Sequence, residues 1–176
     1  MEYDGSTIGY ATRGHTAWAA STAYVVGDIR RPTTATPYYY VCTTAGTSGG
    51  TEPTWSTTVD GTTTDNTVVW TTYEIPKANA ALAAVGRLWL TGISTDRTVV
   101  YYSDLLIGHS YYGGSSGSID LKSVWAYGMD SATTVEVFNG LLAVFGKNSV
   151  VIYDGCEEPT TMALVEHIKG IGCIAR

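Results

Sequence analysis

Three histidines, three cysteines and sixteen carboxylates are the residues of this 176-residue chain best suited to chemistry. His15, His109 and His167 lie far apart in sequence and form no HExxH or similar pair, the pattern of structural or exposed histidines in a strand-rich chain. Cys42, Cys156 and Cys173 are odd in number and lack CxxC or Cys/His ligand spacing, so neither a zinc site nor a full disulfide framework is indicated. They read as small buried or half-buried thiols in preference to a Cys156–Cys173 bridge. Asp104, Asp120, Asp130 and Asp154 stand where turns favour Asp, through side chain to backbone hydrogen bonds. Glu157-Glu158 before Pro159 reads as a solvated loop. No Gly-x-Ser-x-Gly elbow occurs, and spacing alone assigns no glycosidase carboxylate pair. The glycine-rich run at 111–118 could cradle phosphate only between a strand and a helix N-terminus; no helix is predicted there, so it reads as a surface loop. The expectation is a chain that is not an enzyme, with no catalytic residues, no metal ligands and no cofactor.

Composition narrows the class further. Net charge is −6 and only 15% of residues are charged, which argues against a surface that grips nucleic-acid phosphates. Twenty glycines, thirteen tyrosines and abundant threonine favour strands and tight turns, so an all-β fold with almost no helix is expected. No apolar run approaches the ~18 residues of a membrane helix, and the start lacks the pattern of a signal peptide.

The elements are organised around residues 135–155. Asn139-Gly140 is a strong type I′ hairpin signal, because both central residues of that turn need positive φ. Residues 141–145 and 149–153 then read as strands on either side of a turn at 146–148, giving a three-strand meander. An earlier copy exists: 86–92 aligns with 140–146 at an offset of 54, and 98–103 with 149–154 at 51. A period of roughly 50 residues built from short antiparallel strands is the sequence pattern of β-propeller blades. The register makes 78–85 a strand, although propensity would allow a short helix. Ser118-Ile119-Asp120-Leu121 and Val124-Trp125 also read as strand. Tyr3-Asp4-Gly5 repeats Tyr153-Asp154-Gly155, suggesting that residues 1–16 finish a blade, with strand edges expected near 1–10 and 170–175 and an open flank at 150–153.

Residues 17–73 differ in character, with single aromatics among Thr, Ser and Gly. Strands are expected on either side of a Gly27-Asp28 turn, at 38–43 and at 68–73, with 43–65 rich in turn formers. Ala17-Trp18, Thr22, Tyr24, Gly27-Asp28, Tyr40-x-Cys42, Pro53 and Trp70 resemble the small chitin- and cellulose-binding modules of the family 5/12 type, over about a third of the chain. The resemblance implies aromatic faces stacking on sugar rings, with Trp55, Trp70 and Tyr39 as candidates. A second reading makes Trp18, Tyr24, Tyr40 and Trp70 core, leaving Trp55, after Pro53 in a turn-rich loop, as the better surface contact.

The second half resembles the tail-hub, or packaged-DNA stabilisation, proteins of short-tailed phages. The features are Gly86-Arg87-Leu88-Trp89, Tyr101-Tyr102-Ser103-Asp104, Gly117-Ser118-Ile119-Asp120-Leu121, the stretch from Phe138-Asn139-Gly140 to Tyr153-Asp154-Gly155, and Ile171-Gly172-Cys173-Ile174-Ala175. Such proteins have a β-propeller core in a ring at the tail. The expected organisation is a partial β-propeller of about two blades (1–16 and 74–176) with a small inserted β-domain at 17–73. The implied role is a structural virion protein in the phage tail, ringed with copies of itself and other tail proteins. DNA would pass without specific binding, since an acidic wall repels phosphate. The alternative is a glycan-binding module contacting the host envelope.

Overall fold

A computed structural model describes residues 2–3, 8–9, 14–125 and 130–173. The fold is all-β: no α-helix occurs among the described residues, and Leu121–Ser123 and Pro159–Thr161 are single 3-10 turns. Packing divides the chain into two compact units, Met1–Ile75 and Pro76–Arg176. The 17–73 segment expected as an insert lies within the first.

In the first unit β1 (Glu2–Tyr3) pairs with β2 (Ile8–Gly9). The short β3 (Ala23–Tyr24) and β4 (Ile29–Arg30) flank a turn whose Gly27 has φ 93°, a conformation that glycine adopts without a Cβ penalty. Next come β5 (Tyr38–Thr44), β6 (Gly46–Thr47), β7 (Thr62–Asp65) and β8 (Val68–Glu74). One antiparallel sheet runs β4-β5-β8-β7, and β3 pairs with β6. Trp18, Tyr24, Tyr40, Cys42, Val68 and Trp70 form the core. With so few aliphatic residues, the aromatic rings supply most of its apolar area.

The second unit is two four-stranded meanders. The first contains β9 (Ala80–Ala84), β10 (Arg87–Thr91), β11 (Val99–Tyr102) and β12 (Gly117–Asp120). The second contains β13 (Ala132–Phe138), β14 (Leu141–Gly146), β15 (Ser149–Asp154) and β16 (Ala163–Lys169). Each is antiparallel with sequence neighbours paired. One core joins them, with Trp89, Val100 and Tyr102 of the first against Val135, Leu142, Val144 and Val151 of the second.

The Asn139-Gly140 turn has φ of 52° and 79°, as the hairpin requires, and Val85-Gly86 occupies the matching position with 48° and 69°. Cross-strand pairing corrects the second arm of the repeat. Trp89 faces Tyr102 and Ala143 faces Ile152, so with β10 and β14 aligned at 54 the following strands align at 50, one residue from the expected 51. The connections before β11 and β15 differ in length, which leaves sequence alignment free to slide there, whereas pairing fixes the face of every side chain.

Three expectations are revised. Val124-Trp125 is not strand: the Asp120 carboxylate accepts the Lys122 amide at 3.0 Å and caps a 3-10 turn, and Trp125 hydrogen-bonds back to the Leu121 carbonyl. Nor is 150–153 an open flank, because β15 lies between β14 and β16. The edge is β16, where Glu166 and Lys169 interrupt the apolar run, and residues 170–173 lie beyond it without strand structure. Residues 174–176, and most of 1–13, lie outside the described residues. As expected, the three cysteines are free, Cys42 and Cys156 buried and Cys173 half-buried.

Asp130 fastens the β14–β15 turn. Its carboxylate accepts the amides of Ser131 (2.8 Å), Lys147 (2.7 Å) and Asn148 (3.1 Å) and the Ser149 hydroxyl (2.7 Å). Burial pushes the carboxyl up, but the hydrogen bonds from Ser149 and these amides outweigh it and hold its pKa below the ordinary value. A depressed folded pKa contributes stability that is complete above the unfolded value of about 3.9 and is lost as pH falls through the folded one. Asp130→Asn should therefore be less stable than wild type at neutral pH, with the gap narrowing below about pH 4. Urea unfolding across a pH series checks this; a pH-independent gap would refute it.

Candidate functional site

The first unit carries a cleft of about 490 Å³ between the loop before β5 and the loop joining β6 to β7. Pro37, Tyr38, Tyr40, Glu52, Pro53 and Trp55 are its principal walls. Glu52 clips the two loops together. One carboxylate oxygen accepts the Thr33 amide at 2.9 Å and the Trp55 indole N–H at 2.8 Å, and the other accepts the Thr33 hydroxyl. Burial raises its pKa, but the bonds from the Thr33 hydroxyl, the Trp55 indole and the Thr33 amide outweigh that, so it sits below the usual glutamate value.

Trp55 is half-buried, with Tyr40 4.2 Å away at an interplanar angle of 32° and Trp70 edge-on at 5.9 Å. Tyr40 donates its hydroxyl to the Ser56 carbonyl at 2.8 Å, and its pKa is pushed up to about 12 by burial and then by Tyr38, so the phenol stays protonated as a donor. Beneath lies a buried carboxylate, Asp65. It accepts the Trp18 indole at 2.8 Å, the Trp70 indole at 3.3 Å and the Gly49 amide at 2.8 Å, holding the core on which Trp55 packs.

Of the three sugar-contact candidates, only Trp55 lines this cleft. Trp70 is 0% exposed and Tyr39 1%, so burial withdraws both from any surface platform. Trp70 sits opposite Cys42, with Tyr24 edge-on at 4.9 Å, as the core reading of Trp18, Tyr24, Tyr40 and Trp70 requires. Tyr39 alternates to the other face of β5 from Tyr40 and packs on His15 (4.8 Å) and Tyr73 (5.8 Å). Glu52 and Tyr38 escaped the sequence reading. The available signal was Glu52 three residues before Trp55 in a Pro53 turn.

The cleft offers partly exposed aromatic and prolyl surface, threonine hydroxyls and one carboxylate whose hydrogen bonds are largely internal. Such a lining suits a polar ligand with an apolar face. Among the described residues, no group of three His, Cys, Asp or Glu side chains is placed to hold a metal ion, and no helix is long and apolar enough to cross a membrane. Comparison with protein-family models, curated proteins and solved structures finds no match for the chain. Fold and cleft together define an all-β chain of two compact units, one with a small aromatic-lined recess.

Proposed function

We propose that the chain is a structural component of a bacteriophage tail, its second unit contributing two propeller-like blades to a hub or nozzle ring around the DNA channel. The observation that supports this most is the repeat itself. Two four-stranded meanders of the same order open on left-handed turns 54 residues apart and share one core. Side-by-side packing of such meanders is how propellers are built. A net charge of −6 suits a channel through which DNA slides without sticking. Immunogold electron microscopy of intact particles tests the reading: label confined to the tail is expected, and particles free of the chain would end it.

A second reading, glycan contact with the host envelope, is favoured by the Trp55 cleft. Here Trp55→Ala should weaken retention on chitin or peptidoglycan-type polymers by about 1–3 kcal/mol with folding intact. Equal retention of both proteins, or none by either, leaves the first unit as a spacer.

A further inference from the structure

The Trp55 cleft has a fixed charge as well as a shape. Its two aromatic donors are already spent: the Tyr40 hydroxyl bonds the Ser56 carbonyl, and the Trp55 indole N–H bonds Glu52. What remains for an occupant is the part of the Trp55 ring that Tyr40 and Trp70 leave uncovered, the exposed Thr34 and Thr57, and the Glu52 carboxylate.

That carboxylate is placed by the ring itself. An indole N–H lies in the ring plane, so the Glu52 oxygen 2.8 Å from Nε1 stands at the edge of Trp55 and not over a face. The Thr33 amide and hydroxyl pin it there from the facing loop. Burial works against its ionisation, but these neutral donors outweigh that and leave the charge intact at neutral pH. No Lys, Arg or His is among the described residues that line the cleft. Arg31, on the same loop as Thr33, turns its guanidinium to the carbonyls of His15, Pro32 and Thr33. A ring lying on Trp55 therefore meets an uncompensated negative charge at its rim. An acidic sugar is repelled there, and a neutral one gains stacking alone. A sugar with a protonated amine gains stacking and a charge-assisted hydrogen bond to Glu52, and its cation is also drawn to the indole face.

We propose that the cleft takes carbohydrate bearing free, protonated amino groups, with Trp55 stacking on a sugar ring and Glu52 receiving the ammonium group. The inference rests on the glycan reading of this cleft and adds to it the charge of the ligand.

Soluble β-1,4-linked glucosamine tetramers, one fully N-acetylated and one with every amine free, distinguish the cases. Each is titrated into the full chain by calorimetry at about pH 5.5, where a sugar amine is protonated and Glu52 is ionised. The free-amine tetramer should bind at least about 5-fold more tightly, the scale of one partly exposed ion pair. Glu52→Gln, which keeps an acceptor oxygen for the Thr33 and Trp55 donors, should bring the two affinities together, and Trp55→Ala should weaken both. Urea unfolding midpoints check that both variants fold, and the comparison within wild type needs no substitution. Equal affinities, or tighter binding of the acetylated tetramer, would overturn the charge assignment and leave the glycan reading standing. A preference that survives Glu52→Gln would overturn it too, because the net charge of −6 would then be what attracts the cation. Binding of neither tetramer, or binding that Trp55→Ala leaves unchanged, would end both readings of the cleft.

Discussion

Asp65→Ala should destabilise the first unit by about 3–5 kcal/mol, as two buried indole donors and a half-buried amide, at roughly 1–3 kcal/mol each, lose their acceptor and partial relaxation recovers some of the sum. The carboxylate is 3% exposed, and the indole N–H groups of Trp18 and Trp70 and the Gly49 amide all converge on it. It ties the segment before β3, the loop after β6 and the strand β8 into one core. Asp65→Asn, which keeps one acceptor oxygen, should lose less. Urea unfolding followed by tryptophan fluorescence measures both, and a loss below about 1 kcal/mol for the alanine variant would show that water replaces the carboxylate cheaply.

The second large effect is expected at Trp89. Its side chain is fully buried where the two meanders meet, 5.4 Å from the Tyr102 ring, with its N–H on the Ala84 carbonyl at 3.2 Å. Trp89→Ala should cost about 3–5 kcal/mol, since the transfer energy of the ring is lost and a cavity remains between two stiff sheets. Trp89→Phe should recover part of that. If the alanine variant unfolds at the wild-type urea midpoint, the two sheets are not held together through this ring.

Local rules made much of the second unit legible. Asn139-Gly140 fixes the turn whatever surrounds it, and strict alternation in β14 buries Leu142 and Val144 while Leu141 and Ala143 stay half-buried. The repeat register identified β9 as strand against its alanine-rich helical propensity. β16 went unseen because it is mostly exposed on both faces, so no period of two marks Ala163–Lys169. β7 was hidden for a different reason: its inward residues are Thr63 and Asp65, polar side chains that only a hydrogen-bonded core accepts. At the site, Trp55 was legible as a loop aromatic beside Pro53. Trp70 was read both as platform and as core, and Tyr39 only as platform, because an aromatic in a strand looks the same in sequence whether its face meets solvent or core. Glu52 requires knowing that the loop before β5 comes within reach, a long-range fact that no local pattern carries.

Val85 holds φ 48°, a left-handed conformation that costs a β-branched residue on the order of 1–3 kcal/mol, where the other meander has Asn139 at the same place. That strain is offset by packing, since Val85 lies against the core shared by both sheets. The two hairpins are thus unequal as nuclei. The Asn-Gly hairpin closes on local preference alone, on the microsecond scale of isolated hairpins. Its Val-Gly counterpart gains its compensation only once the other sheet is in place, so the chain is set to condense from its C-terminal meander towards the earlier one. This order is a hypothesis about the folding transition state, to be checked by whether substitution at Gly140 slows folding while substitution at Val85 mainly alters unfolding.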